Sequence, residues 1–171
     1  NMKNTKFKVI FNKVGYTSSG CDDVEFYVSF NLGENLNPLN KVASGGEMSR
    51  FMLAFKKILS DVDKIETMIF DEIDTGISGR AAQVVGEKLA EMSKYKQLIC
   101  ITHLPQIAAF ADDHYYIEKN VENERTFTSI SNLDYEDREK EIARLISGKI
   151  ITEKTLEHSH EMIELAKKTK A

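Results

Sequence analysis

The 171-residue sequence has only two cysteines, Cys21 in a Ser/Gly-rich turn and Cys100 in an apolar run. That scarcity excludes a disulfide framework and a cysteine-based metal spacing, and it fits free thiols in a reducing cytoplasm. No apolar run approaches the ~20 residues that span a bilayer, and the opening NMKNTKFKV lacks the apolar core of a secretion signal. Asn1 ahead of Met2 reads as a leftover tag residue. A net charge of -4 argues against a chain wrapped by default around nucleic acid, so any DNA contact is local or lies on a segment outside this chain. Internal repeats, low-complexity tracts and sustained heptads are missing. So is a phosphate loop of the form GxxxxGKS or GxxxxGKT, and with it the lysine and the hydroxyl that hold nucleotide phosphates and their magnesium.

What is present is ordinary for a globular chain: 42% hydrophobic and 29% charged residues, enough to expect one domain, 1–171, with a real core. FKVIFNKV and VEFYVSFNL read as strands joined by the loop GYTSSGCDD, an antiparallel hairpin. Ser44 followed by Glu47 fits a capping box ahead of a helix whose buried stripe is Phe51, Phe55, Ile58 and Leu59, with Lys56 and Lys57 in water. IETMIFDE and KQLICIT read as short buried strands flanking a helix from about Gly79 to Ser93. A short helix after Pro105, strands at HYYIEK and RTFTSISNL, and helices Glu136–Ile146 and Glu153–Lys168 complete the chain. Ile142, Leu145 and Ile146 face inward on the first of these, and Leu156, Ile163 and Ala166 on the second. The tail KKTKA is expected to be solvated. Apolar strands alternating with helices predict an α/β fold, a mainly parallel sheet flanked by helices with an amino-terminal antiparallel hairpin.

Two adjacent glycines, Gly45 and Gly46, occupy the first turn of a helix, where ordinary residues cost less entropy. They fit a plain helix start, or a bare helix amino terminus whose free N–H groups and positive dipole end cradle a phosphate. Downstream, TMIFDEIDTGISG ends an apolar strand in Asp71 and Glu72. Ligands of open parallel sheets gather at the carboxyl ends of strands. A carboxylate pair there can hold Mg²⁺ and orient an attacking water, or simply begin a polar loop in which Asp74 makes a turn and Ser78 caps the next helix. LICITHLPQIA likewise ends at Thr102 and His103, where the imidazole can donate to a phosphate or serve as an ordinary turn residue.

The order of these features resembles the carboxyl-terminal half of an ATP-binding-cassette ATPase head, within the P-loop NTPase superfamily. VASGGEMSR, IFDEIDTGISGRAAQVVG and ITHLPQIAAFAD are most similar to the SMC-like group of that superfamily, in its bacterial DNA-repair branch, over about Asp23 to Lys119. Ala43 in place of the usual signature leucine, and DEID where transporters commonly read DEPT, favour that group. The resemblance implies that Ser44, Gly45, Gly46 and Glu47 form the signature motif and bind nucleotide. It implies that Asp71 is the magnesium aspartate, Glu72 and His103 are catalytic, and Asp74 lies in the D-loop at the nucleotide.

It further implies ATP and Mg²⁺ as cofactors, both needing an amino-terminal head lobe that carries the phosphate loop beyond coiled-coil arms. By itself the chain should bind ATP poorly; hydrolysis belongs to the assembled protein. The implied partners are that lobe, a second head in an ATP-bridged homodimer, and DNA as single-stranded ends or broken duplex. The implied role is DNA double-strand-break repair and recombination in the cytoplasm at the nucleoid, with no membrane partner. A transporter nucleotide-binding fragment and a non-enzymatic dimerisation or DNA-binding module are the alternatives.

Overall fold

The computed structural model describes residues 4–42, 45–59, 64–122 and 125–170. Strands β1 (Lys6–Thr17) and β2 (Gly20–Ser29) form the expected antiparallel hairpin, and a two-residue strand β3 (Asn37–Pro38) pairs with the other edge of β2. The turn is far tighter than predicted. Only Ser18 and Ser19 lie outside the strands, because the Thr17 hydroxyl donates to Gly20 O at 2.8 Å and accepts from Ser19 N–H. Gly20 meanwhile takes φ 124, which residues with side chains rarely adopt. The ladder therefore runs through residues assigned to a loop, and Lys13 pairs with Asp22 across it at 3.2 Å.

The register sets Phe7 opposite Val28 and Val9 opposite Phe26, so alternation gathers these side chains on one face. Helix α1 (Gly45–Ile58) lies on that face, with Phe51 5.5 Å from Phe7 and Phe55 6.1 Å from Phe26, ring centre to ring centre. Leu53, on another side of α1, is buried in the central core. Ile58 was expected in the buried stripe but is 78% exposed, because the aromatic patch of the hairpin reaches only Phe51 and Phe55. Lys57 pairs with Glu91.

Strands β4 (Thr67–Phe70) and β5 (Gln97–Cys100) run parallel in register, linked by helix α2 (Gly79–Ser93), which has the predicted limits. Met68 and Phe70 face inward against Ile73, Ala82, Val85, Leu89, Met92 and Ile107. The alternate positions Ile69, Ile99 and Ile101 face outward and are 68%, 46% and 50% exposed. Helix α3 (Pro105–Ala108) starts on its proline as expected. The Arg138 guanidinium satisfies carbonyls that so short a helix leaves open, donating to Ala109 O at 2.9 Å and Ala111 O at 2.7 Å.

Strands β6 (His114–Glu122) and β7 (Arg125–Leu133) form a second hairpin. Two residues between them are too few for a crossover, so the chain turns back. Among the described residues, parallel pairing is thus confined to β4 and β5 within an α/β fold that opens on an antiparallel hairpin. Helices α4 (Tyr135–Ser147) and α5 (Glu153–Lys170) close a second cluster through Ile142, Ile163 and Ala166 against Ala90, Ala108 and Phe110. The Asp134 carboxylate caps α4, accepting from Asp137 N–H at 2.9 Å. Leu156, expected inward, is 36% exposed because this cluster meets α5 only beyond the buried Ser159.

Gly86 is where α2 touches the Phe110 ring: a Cβ there would lie 2.5 Å from Phe110 Cδ2 and 3.1 Å from Gln106 O. Gly86→Ala is expected to lower the stability measured by urea unfolding by about 1 kcal/mol or more, overpacking outweighing the gain in helix propensity. Gly15→Ala, whose Cβ meets nothing within 4 Å, is expected to be neutral or stabilising.

Candidate functional site

The chain exits from β4 and β5 lie side by side, held by one further ladder bond, Ile101 N–H to Phe70 O at 2.9 Å. Asp71 and Glu72 leave β4; Thr102 and His103 leave β5. Ile73 has no exposed surface, and anchoring it in the core leaves Asp71 and Glu72 facing solvent. Glu72 takes φ 57, unusual for a residue with a side chain and worth ~1–3 kcal/mol of local strain. A bond from Thr75 N–H to Glu72 O at 3.1 Å closes the turn over it.

Asp74 is the centre of this arrangement. It is 4% exposed, and its Oδ2 accepts from Thr102 Oγ1 at 2.6 Å and His103 N–H at 2.8 Å, while His103 Nδ1 stands 3.0 Å away as a close polar contact. Burial raises the pKa of this carboxyl, but the hydrogen bonds from Thr102 and His103 and the His103 ring outweigh it and hold the group below its ordinary value. The Asp74 carboxylate, expected at the nucleotide, is therefore directed at its own chain. Beside it, burial and then the charges of Asp74 and Asp71 push the Cys100 thiol up to about 12, which makes it a neutral packing group.

The start of α1 abuts the same loop. A Cβ on Gly45 would lie 3.0 Å from Glu72 Oε2, and one on Gly46 would lie 2.5 Å from Thr75 O. A backbone carbonyl cannot swing aside as a side chain does, so Gly46 is required by close approach, a reason additional to a helix start or an anion cradle. Two side chains of α1 fasten the contact. Ser49 Oγ donates to Asp71 O at 3.2 Å, and Arg50 Nη1 donates to Thr75 O at 2.7 Å and Ile73 O at 3.3 Å.

Gly45, Gly46, Asp71, Glu72, Asp74 and His103 thus surround one loop, and Glu47 sits half-buried in the first turn of α1. Ser44 lies outside the described residues. Ser78 stands at the N-cap of α2 as expected, but its hydroxyl makes no capping bond. Ser49, Arg50 and Thr102 received no role from sequence. Arg50 is four residues after Gly46, hence on its helix face, and that spacing is the signal that finds it. Among the described residues, no group of three or more His, Cys, Asp or Glu converges to hold a metal unaided, and no helix is long and apolar enough to cross a membrane.

No family model matches the chain. The Smc head domain with a coiled coil and joint from Pyrococcus yayanosii superposes with a TM-score of 0.60 at 21% identity, over 85% of this chain and 27% of that one. A structure from work on ATP-driven dimerization and DNA-stimulated activation of SMC ATPases gives 0.50 at 22% identity, over 86% of this chain and 84% of that one. The fold is that of an SMC-type head lobe. In sequence the chain is 48% identical to DNA repair protein RecN of Halalkalibacterium halodurans over 170 residues, 96% of this chain and 30% of that protein. It is 46% identical to RecN of Bacillus subtilis over 157 residues, 92% of this chain and 27% of that protein. Over nearly its whole length the chain is thus homologous to one segment of RecN, and it spans less than a third of the length of these relatives.

A carboxyl whose folded pKa lies below its unfolded value of ~3.9 contributes stability that is complete above that value and is lost as pH falls through the folded one. Urea unfolding of the chain between about pH 5 and pH 2 is expected to show a steeper acid decline than that of Asp74→Asn. Equal slopes would mean that Thr102 and His103 do not hold the ionised form.

Proposed function

We propose that this chain is the carboxyl-terminal lobe of a split SMC-like ATPase head, acting in DNA double-strand-break repair and recombination at the nucleoid of the bacterial cytoplasm. The observation that carries the reading is the meeting of two exposed carboxylates and an exposed imidazole at the adjacent carboxyl ends of two parallel strands, beside the glycine-rich start of α1. Strand ends of this kind are where ligands of α/β sheets are bound. The repair role is drawn from the RecN relatives.

Asp71 and Glu72 fit a Mg²⁺–nucleotide site, because Mg²⁺ is commonly held by one or two carboxylates with the remaining positions filled by phosphates and water. Asp71 would hold the ion, which when bound with ATP would neutralise charge on the phosphate oxygens. Glu72, solvent-facing on a strained turn, would accept a proton from the attacking water. His103 would contact the terminal phosphate or that water. Ser44, Gly45, Gly46 and Glu47 would present helix-start N–H groups to a nucleotide seated in a second head, so that ATP bridges a homodimer. Asp74 belongs to the same nucleotide-facing loop.

A phosphate loop has to come from another lobe, and the sheet offers a seat for one. Parallel sheets are covered on both faces, yet Ile69, Ile99 and Ile101 lie bare on one face of β4–β5. The partner proposed there is the amino-terminal lobe of the same protein. DNA, as broken duplex or single-stranded ends, is engaged by the assembled molecule.

Joining the chain to that lobe and comparing wild type with Glu72→Gln tests the reading. Steady-state ATP turnover is expected to fall by about 10²-fold or more, the scale of a lost general base, with nucleotide binding retained. Turnover unchanged by the substitution would remove Glu72 from catalysis.

A further inference from the structure

The imidazole of His103 is 74% exposed, while the carboxylate that it touches is 4% exposed. Two hydrogen bonds converge on Oδ2 of that carboxylate, from the hydroxyl of Thr102 and the backbone of His103, and the ring Nδ1 of His103 lies 3.0 Å from the same oxygen. Thr102 Oγ1 also accepts from Leu104 N–H at 3.1 Å, so its proton is committed to Asp74 and the turn is tied on both sides. A carboxylate oxygen 3.0 Å from a ring nitrogen favours the proton on that nitrogen, because an unprotonated nitrogen would set its lone pair beside the anionic oxygen. Nδ1 thus faces the Asp74 carboxylate, and among the described residues Nε2 has no partner.

We propose that Asp74 is a positioning residue that fixes the tautomer and direction of His103: it holds the proton on Nδ1 and presents Nε2 outward as the working nitrogen. The neutral ring then offers Nε2 as an acceptor, able to orient the hydrogen of an attacking water. The protonated ring offers Nε2–H as a donor to a phosphate oxygen. Flipping the ring would take Nδ1 away from Asp74 Oδ2. The backbone bond from His103 N–H to the same oxygen means that the carboxylate places the residue as well as its ring. Asp74 acts through His103 and not by touching nucleotide. This inference rests on the proposed role of His103, though the contact itself does not.

The test is the ring tautomer, read from long-range ¹H–¹⁵N spectra of the labelled chain at a pH where the ring is neutral. The His103 signals are identified by their loss in His103→Gln. The wild-type ring is expected in the Nδ1–H form. Asp74→Ala is expected to convert it to the Nε2–H form that free imidazole favours, and Asp74→Asn, which keeps an oxygen at the convergence point, to retain Nδ1–H. An Nε2–H ring in the wild type, or one unaffected by Asp74→Ala, would overturn the proposal. The wild-type spectrum decides even where the alanine variant does not fold.

In the head assembled with its amino-terminal lobe, Asp74→Ala is expected to lower kcat by about 10-fold or more, the scale for removing a partner that orients a functional histidine, and Asp74→Asn to restore most of it. Turnover indifferent to both variants would overturn the positioning role. Should Glu72→Gln leave turnover intact while His103 carries its proton on Nδ1, the ATPase reading falls and the contact stands.

Discussion

Four residues of parallel pairing, Thr67↔Gln97 to Phe70↔Cys100, are the constraint on which the rest of the molecule depends. Parallel strands require a long crossover, and α2 supplies it while burying one face of the pair. Parallel strands also end on the same side, so the residues that follow Phe70 and Cys100 emerge together. The meeting of Glu72, Asp74 and His103 follows from topology before any side chain is chosen. The other consequence is the uncovered face, where Ile69, Ile99 and Ile101 meet water because nothing in the described chain packs on them.

The loop after β4 is built by contrast between neighbours. Ile73 and Asp74 point inward, to the core and to Thr102 and His103, and their anchoring drives Glu72 into a left-handed backbone with its carboxylate in solvent. The amino end of α1 presses against the outer side of this loop through Gly45 and Gly46 and is fastened by Ser49 and Arg50. A helix start that reads one nucleotide and a carboxylate that acts on another would, in the proposed dimer, move as one body. Overpacking at Gly46 bears on both at once, since the obstructing atom is the Thr75 carbonyl.

Much of this was legible in the sequence because it rests on local patterns. Apolar runs marked β4 and β5, and periodicity marked α2 to the residue. Failures came where tertiary cover overrode periodicity. Ile58 and Leu156 keep helical spacing with their neighbours but extend past the surfaces that would bury them. The hairpin loop is shorter than its polar residues suggest, because residues such as Asp22 and Asp23 can face water from within an exposed ladder. At the site, strand-end carboxylates and the histidine were visible one at a time. That Asp74 serves Thr102 and His103 was not, because a bond spanning 28 and 29 residues leaves no trace in composition or period.

The uncovered face of β4–β5 is the most direct handle on the claim that this chain is half of a head. With isoleucine methyl groups labelled in the chain, adding the amino-terminal lobe should shift the signals of Ile69, Ile99 and Ile101 while leaving those of Ile142 and Ile163, buried in the other cluster, in place. Unmoved Ile69, Ile99 and Ile101 signals in a mixture where the two pieces are shown to bind would contradict it.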